Sequence, residues 1–360
     1  MRKRFSDLSP KTSEFKKSAK YADKRSFLRQ SLQVLVCLIA LGSLTSGGCS
    51  QKGSTLPRPY RAKYNTIAHK ILDIELEHLG TNDAKENYIL VDVIIDAAKE
   101  RVDAMDSTEG EESETPREKA LRTLGIMSEL LDNYGFEYQK DSLLCHGLIP
   151  KKINCHGYSA LYLAMGEGLG LPLKMVRAPG HAFIRWQLGR REYVNWETTA
   201  GVEKDDDYYI NRYNIAPESR GRTYLRSLDL YDNREEILAN AYVNNGVQWL
   251  KKCRLEKAIE RFKEAIDKDP SYDAPYYDIG LTYWHLDKPN LAIKWCEKAL
   301  KLNPNHLRSH VVLEAAYSST NRELSSHKHF VKVLKTQPNY YARGAVEKRR
   351  KNRNICVEDS

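Results

Sequence analysis

From Ile67 onward, apolar residues recur at helical spacing. Ile67, Ile71 and Ile74 form one stripe, which Leu72, Leu76 and Leu79 widen. Val91, Val93, Ile94, Ile95 and Ala98 predict a second helix. An acidic stretch, Asp106 to Pro116, interrupts the pattern. Leu121, Leu124, Met127, Leu130 and Leu131 then predict a third helix over Arg117 to Tyr134. A further helix begins at Asn154-Cys155-His156-Gly157 and ends near Gly168 to Gly170. There the period changes to alternation. Leu171 to Arg177 reads as a strand, Pro179-Gly180 breaks it, and His181 to Leu188 with Arg191 to Thr199 predict a hairpin around Gly189. Trp186 and Trp196 fall on one face of the hairpin arms and are expected in the core. The charged stretch Glu203 to Arg222 reads as the start of a linker.

A second pattern follows residue 238. At an offset of 34 residues, Tyr242, Gly246, Trp249, Ala258, Phe262, Ala265 and Pro270 align with Tyr276, Gly280, Tyr283, Ala292, Cys296, Ala299 and Pro304. One more step reaches His310, Glu314, Tyr317, Ser326, Phe330, Val333 and Pro338. Small residues let paired helices approach, aromatic residues fill the gap between them, and proline closes the second helix. The third unit loses the glycine and both alanines, as a terminal unit often does. The three units, 239–340, resemble tetratricopeptide (TPR) repeats. That resemblance implies an all-α solenoid whose groove binds a protein or peptide partner and does no chemistry itself.

Charge changes the picture little over the body of the chain and much at its start. The 360 residues carry a net charge of +9. Residues 1–30 hold ten Lys or Arg against three acids, and residues 31–48 hold no charge. The remainder is nearly balanced, with 47 bases and 45 acids, so a nucleic-acid partner is not expected. The basic start, the apolar run Leu32 to Leu44 and the small residues before Cys49 have the layout of a secretory signal. The run is short for a membrane span of about 20 residues. Thr45-Ser46-Gly47-Gly48-Cys49 resembles a bacterial lipoprotein signal, which implies lipid attachment at Cys49; Ser46 stands where that family prefers Leu. A retained signal anchor is the other reading. Either places the body at the bacterial cell envelope, outside the cytoplasm and attached to a membrane. The seven cysteines are too sparse for a disulfide framework.

One constellation carries candidate chemistry. Cys155 stands at a helix N-terminus, where the helix dipole stabilises the thiolate, the nucleophilic form. His181 opens a strand after the Pro-Gly break and could exchange a proton with that thiol. A hairpin loop centred near Leu188 would set Asn195 opposite His181, where its amide oxygen could orient the imidazole. Glu197 shares Asn195's face and is the rival third member. The order of Asn-Cys155-His-Gly-Tyr-Ser, Pro-Gly-His181-Ala-Phe-Ile-Arg-Trp and Tyr-Val-Asn195-Trp-Glu-Thr-Thr, with the Leu169 to Pro172 turn, resembles the transglutaminase-like branch of the papain-type cysteine enzymes. The resemblance covers about Phe136 to Gly201. It implies catalytic roles for Cys155, His181 and Asn195, although transglutaminases usually place Asp where Asn195 stands. The pairs Cys145-His146 and Cys155-His156 are spaced too widely for a structural zinc site, so no metal and no cofactor is expected.

The expected class is therefore α+β: a helical and β-sheet transglutaminase-like domain followed by an all-α repeat solenoid. The expected boundaries are a signal or anchor over 1–48, a linker over 49–61, the first domain over 62–202 with its core from about 136, a linker over 203–238, repeats over 239–340 and a basic tail over 341–360. Two functions follow. The first is a cysteine enzyme acting on peptide or carboxamide bonds. The second is a non-catalytic repeat scaffold with a retained fold.

Overall fold

A computed structural model of the chain describes residues 62–76, 85–108, 114–140 and 142–336. The basic leader, the apolar run, Cys49 and the basic tail lie outside the described residues. Among the described residues, no helix is long and apolar enough to cross a membrane.

Three helices open the fold: α1 (Ile67–Leu76), α2 (Lys85–Thr108) and α3 (Pro116–Asn133). The start of α3 is fixed by a capping box. The Thr115 hydroxyl oxygen accepts from the Glu118 amide at 3.2 Å, and the Thr115 amide donates to the Glu118 carboxylate at 2.9 Å. Proline at the first helical position adds a preset φ. After the short strands β1 (Glu137–Tyr138) and β2 (Lys152–Ile153), which pair in parallel around the single turn α4 (Leu144–Gly147), comes α5 (Cys155–Leu169). Asn154 caps α5 by accepting from the Gly157 amide at 2.9 Å, and Gly170 ends it in the left-handed conformation at φ 68°. Nearly every residue from Cys155 to Gly166 is buried, as expected for a helix that is apolar on all sides. It packs against α1, α2 and the sheet.

The sheet comprises β3 (Leu173–Ala178), β4 (His181–Gln187), β5 (Tyr193–Glu197), β6 (Val202–Glu203) and β7 (Ser227–Asp229), in the order β6-β5-β4-β3-β7. All its pairings are antiparallel. Trp186 and Trp196 are buried in the main core, as their alternation predicts. The stretch 203–238, expected as a linker, is instead folded. It holds α6 (Asp206–Tyr213) and the edge strand β7, and its Tyr209 and Tyr224 are fully or almost fully buried. Aromatic residues scattered among charges conceal this in a pattern search, because Tyr209 and Tyr224 close a small core with Val176 and Phe183 that no regular spacing marks.

Three helical hairpins follow: α7 (Arg234–Lys251) with α8 (Leu255–Lys268), α9 (Asp273–His285) with α10 (Pro289–Leu302), and α11 (Leu307–Ser319) with α12 (Glu323–Thr336). Within them, Gly246 faces the Phe262 ring and Gly280 faces the Cys296 sulfur, so closely that an added Cβ would lie 2.5 Å from each. The first hairpin begins before residue 239 and shares the main core, through Ile237, Leu238 and Ala241 on α7. Polar contacts complete the joint. Arg177 on β3 forms a buried ion pair with Asp269 after α8. The Asn245 amide donates to the Ile74 carbonyl at 2.8 Å, and the Asn303 amide donates to Asp273 at 2.9 Å. Tyr224 donates to that same Asp273 carboxylate. The described residues belong to one compact unit rather than to two modules on a flexible linker.

Candidate functional site

Cys155 is the first residue of α5, and its side chain is 5% exposed. Helix geometry leaves the earliest amides of α5 without intrahelical acceptors, and their N–H groups concentrate positive potential at the thiol. His181, the first residue of β4, approaches from the sheet, where it pairs across the tight turn with Ala178. Gly180 makes that turn at φ 67°. Cys155 and His181 lie close enough for each to shift the other's titration. His181 Nε2 lies 2.7 Å from Glu197 Oε2, which leaves Nδ1 for the thiol. Glu197 is fixed in turn: its Oε1 accepts from the Thr199 hydroxyl at 2.7 Å and from the Thr199 amide at 3.3 Å.

The side chain that holds the His181 ring is therefore Glu197, not Asn195. The hairpin turn lies between Leu188 and Glu192, where the Leu188 amide donates to the Glu192 carbonyl at 2.9 Å. That turn sets Asn195 opposite Arg185, not opposite His181. A shift of two residues moves the contact by about 7 Å along the strand while keeping the same face. Asn195 is occupied elsewhere. It accepts from Arg185 Nε at 2.7 Å and donates to Asp206 Oδ1 at 2.8 Å. Arg185 also donates to Asp206 at 2.7 Å, and Tyr193 donates to the other Asp206 oxygen at 2.8 Å. This network ties α6 to the hairpin, so Asn195 supports the wall of the site.

Two further features were not legible as functional in the sequence. His156, the residue after Cys155, places Nδ1 3.6 Å from Cys155 Sγ. On α6, Tyr213 stacks on the His181 ring at 5.1 Å between centroids, and Tyr209 lies at 6.3 Å. A signal for α6 existed: Asp205 caps it by accepting from the Tyr208 amide at 2.7 Å, and Asp206 and Asp207 occupy its first turn.

Electrostatics follow from these contacts. Burial pushes the Cys155 thiol up, but His156 and His181 outweigh it and bring the pKa down to about 5. Burial pushes His181 down, while Cys155 and Glu197 raise it to about 9. Burial also raises the Glu197 carboxyl, yet the His181 and Thr199 hydrogen bonds hold it below its ordinary value. Between those two pKa values the pair is a thiolate and an imidazolium. Cys145 differs: burial and the adjacent Glu75 carboxyl push its thiol far above the usual range. Cys296, fully buried between repeat helices, is raised by burial as well.

Comparison with known proteins bears on the helical hairpins. The tetratricopeptide repeat family matches residues 274–306, and a second TPR repeat family matches residues 252–287. The chain therefore carries TPR repeats in its C-terminal region, on a fold of mixed helix and strand. Repeats of this type bind protein or peptide partners. Among solved structures, a crystal structure of MamA is similar at 25% identity, over 29% of this chain and 61% of that one, with a TM-score of 0.27. The first TPR of Spaghetti (RPAP3), bound to the HSP90 peptide SRMEEVD, matches at 23% identity over 32% of this chain and 91% of that one, with a TM-score of 0.29. A crystal structure of menin matches at 13% identity over 78% of this chain and 71% of that one, with a TM-score of 0.43. This chain thus spans less than two thirds of the length of the MamA chain.

Proposed function

We propose that this is a protein- or peptide-binding TPR protein with a transglutaminase-like thiol site set against its first repeat, and that Cys155 acts on a peptide or carboxamide carbonyl. The observation that carries the reading is the Cys155, His181 and Glu197 chain at the start of α5. In the proposed step, the Cys155 thiolate adds to the carbonyl carbon, and the C–N bond breaks as the amine takes the proton of the His181 imidazolium. A thioester is left on Cys155. Water, or an amine acceptor, then attacks the thioester and gives its proton to His181; the thiolate departs and the pair is restored. The Cys155 amide, free of an intrahelical partner, would donate to the oxyanion. Glu197 keeps the imidazole in one orientation and balances its charge.

A second reading, a TPR scaffold whose thiol domain is retained for packing, has specific support that the first lacks. The family matches fall within 252–306, and Cys155, His181 and Glu197 are only 5%, 8% and 4% exposed. The experiment that separates the readings is intact-mass analysis after acid quench with glutaminyl peptides. The enzyme reading expects an acyl adduct on Cys155 that Cys155→Ala removes. A Cys155 that forms no adduct, and alkylates at pH 6 as slowly as Cys145, sinks it and leaves the scaffold. Attachment to the cell envelope through Cys49 belongs to the same proposal and is tested separately below.

A further inference from the structure

His156 stands where nothing in the proposed triad needs a residue. It is half-buried, its Nδ1 is 3.6 Å from Cys155 Sγ, and it comes from the helix that carries the thiol. The sulfur thus has two imidazoles in reach, one from α5 and one from β4. They differ in what else holds them. His181 is committed through Nε2 to the Glu197 carboxylate. The His156 ring lines a cleft with Glu75, Leu144, Met175 and two residues of the first repeat helix, Asn240 and Asn244. Asn240 is 4% exposed, and its amide nitrogen has no hydrogen-bond partner among the described residues, so that cleft is polar as well as apolar.

We infer that His156 is a positioning residue that holds Cys155 as a thiolate, which leaves His181 free to deliver and collect the proton; this rests on the acyl-transfer reading above. The two tasks conflict in a single ring. A group that gives its proton to the departing amine and takes one back from the attacking water changes its charge at each step. A second ring that transfers no proton keeps its Nδ1 beside the sulfur through both steps. It also makes the thiol a better leaving group, because a lower thiol pKa favours departure. Of the two rings, His156 has the larger effect on the thiol. The titratable groups facing the pair are His181 from β4, Glu197 from β5, Tyr213 from α6 and Glu75 from α1.

The test is the rate of iodoacetamide alkylation at Cys155 against pH, with the labelled residue resolved by mass spectrometry, on the full chain. Wild type, His156→Gln, His156→Arg and His181→Gln are compared, with circular dichroism confirming that each is folded. Wild type should show a midpoint near 5. His156→Gln should raise it by at least about one pH unit, tenfold in thiolate at fixed acidic pH. His156→Arg, which sets cationic N–H donors beside the sulfur, should hold the midpoint near the wild-type value, and His181→Gln should move it less than His156→Gln does. An acidic wild-type midpoint that His156→Gln leaves in place overturns this inference alone. A His156→Arg midpoint as high as that of His156→Gln also overturns it, because a donor beside the sulfur would then not be what holds the thiolate. A wild-type midpoint near that of a free thiol, about 8.5, removes the acyl-transfer reading with it.

Discussion

Replacing Arg177 by Met probes the joint between the sheet and the repeats. The Arg177 guanidinium and the Asp269 carboxylate pair at 2% and 1% exposure, and the guanidinium lies 4.3 Å from the Tyr272 ring centroid. Met keeps the apolar stem but leaves Asp269 with two neutral donors, the Ser271 amide at 3.0 Å and the Ser271 hydroxyl at 2.7 Å. Removing one partner of a buried pair costs about 3–5 kcal/mol. The Ser271 donors place Arg177→Met at the lower end, about 3 kcal/mol. With a urea slope of about 3 kcal/mol/M, the unfolding midpoint falls by about 1 M. Asp269→Asn should cost at least as much, because Arg177 Nε and Nη1 already have no partner among the described residues. The double variant should cost less than the sum, which a double-mutant cycle reads directly. The sign with pH is fixed. Burial raises the Asp269 carboxyl, but Arg177 outweighs burial and holds it below its ordinary value. A depressed folded pKa gives stability that is present above the unfolded value, about 3.9, and lost as pH falls through the folded one. The gap between wild type and Arg177→Met should therefore close below about pH 4. A midpoint change under about 0.3 M, or two separate unfolding transitions for sheet and repeats, would refute the reasoning.

Other outcomes follow from single contacts. Glu197→Gln should lower the pH at which His181 titrates from about 9, read by histidine NMR, because the imidazolium loses a charged acceptor at 2.7 Å. Asn195→Ala should leave that titration in place, since Asn195 bonds Arg185 and Asp206 instead. Gly280→Ala should destabilise the second repeat by about 1–3 kcal/mol in thermal unfolding, since its Cβ would meet the Cys296 sulfur at 2.5 Å and two backbone atoms at 3.2 Å. Equal stability would mean that the two helices separate freely. Cys49→Ser should shift the protein from the membrane to the soluble fraction on cell fractionation, whereas unchanged attachment would point to a signal anchor.

The repeats were legible because their physics is local and recurrent. A glycine facing an aromatic or a sulfur, with a proline closing each of the first two hairpins, needs only a 34-residue offset to be seen. Cys155 at a helix start, His181 after a turn glycine and the inward tryptophans were equally local, each set by one element's period. The third site residue was not, because choosing between Asn195 and Glu197 requires the register of β4 on β5, and a turn centred two residues later decides it. Nor could the sequence place His156 against the thiol or Tyr213 against His181, since α6 sits in a stretch whose charges read as a linker. The sequence by itself therefore determined the three opening helices, α5, the repeats and the two residue types of the thiol pair, through spacing along one chain. Only the tertiary structure decided that Glu197 orients the imidazole and that the first repeat shares the core of the thiol domain. Those are meetings between distant segments, fixed by strand register and by burial of Ile237, Leu238 and Ala241, and no local pattern encodes them.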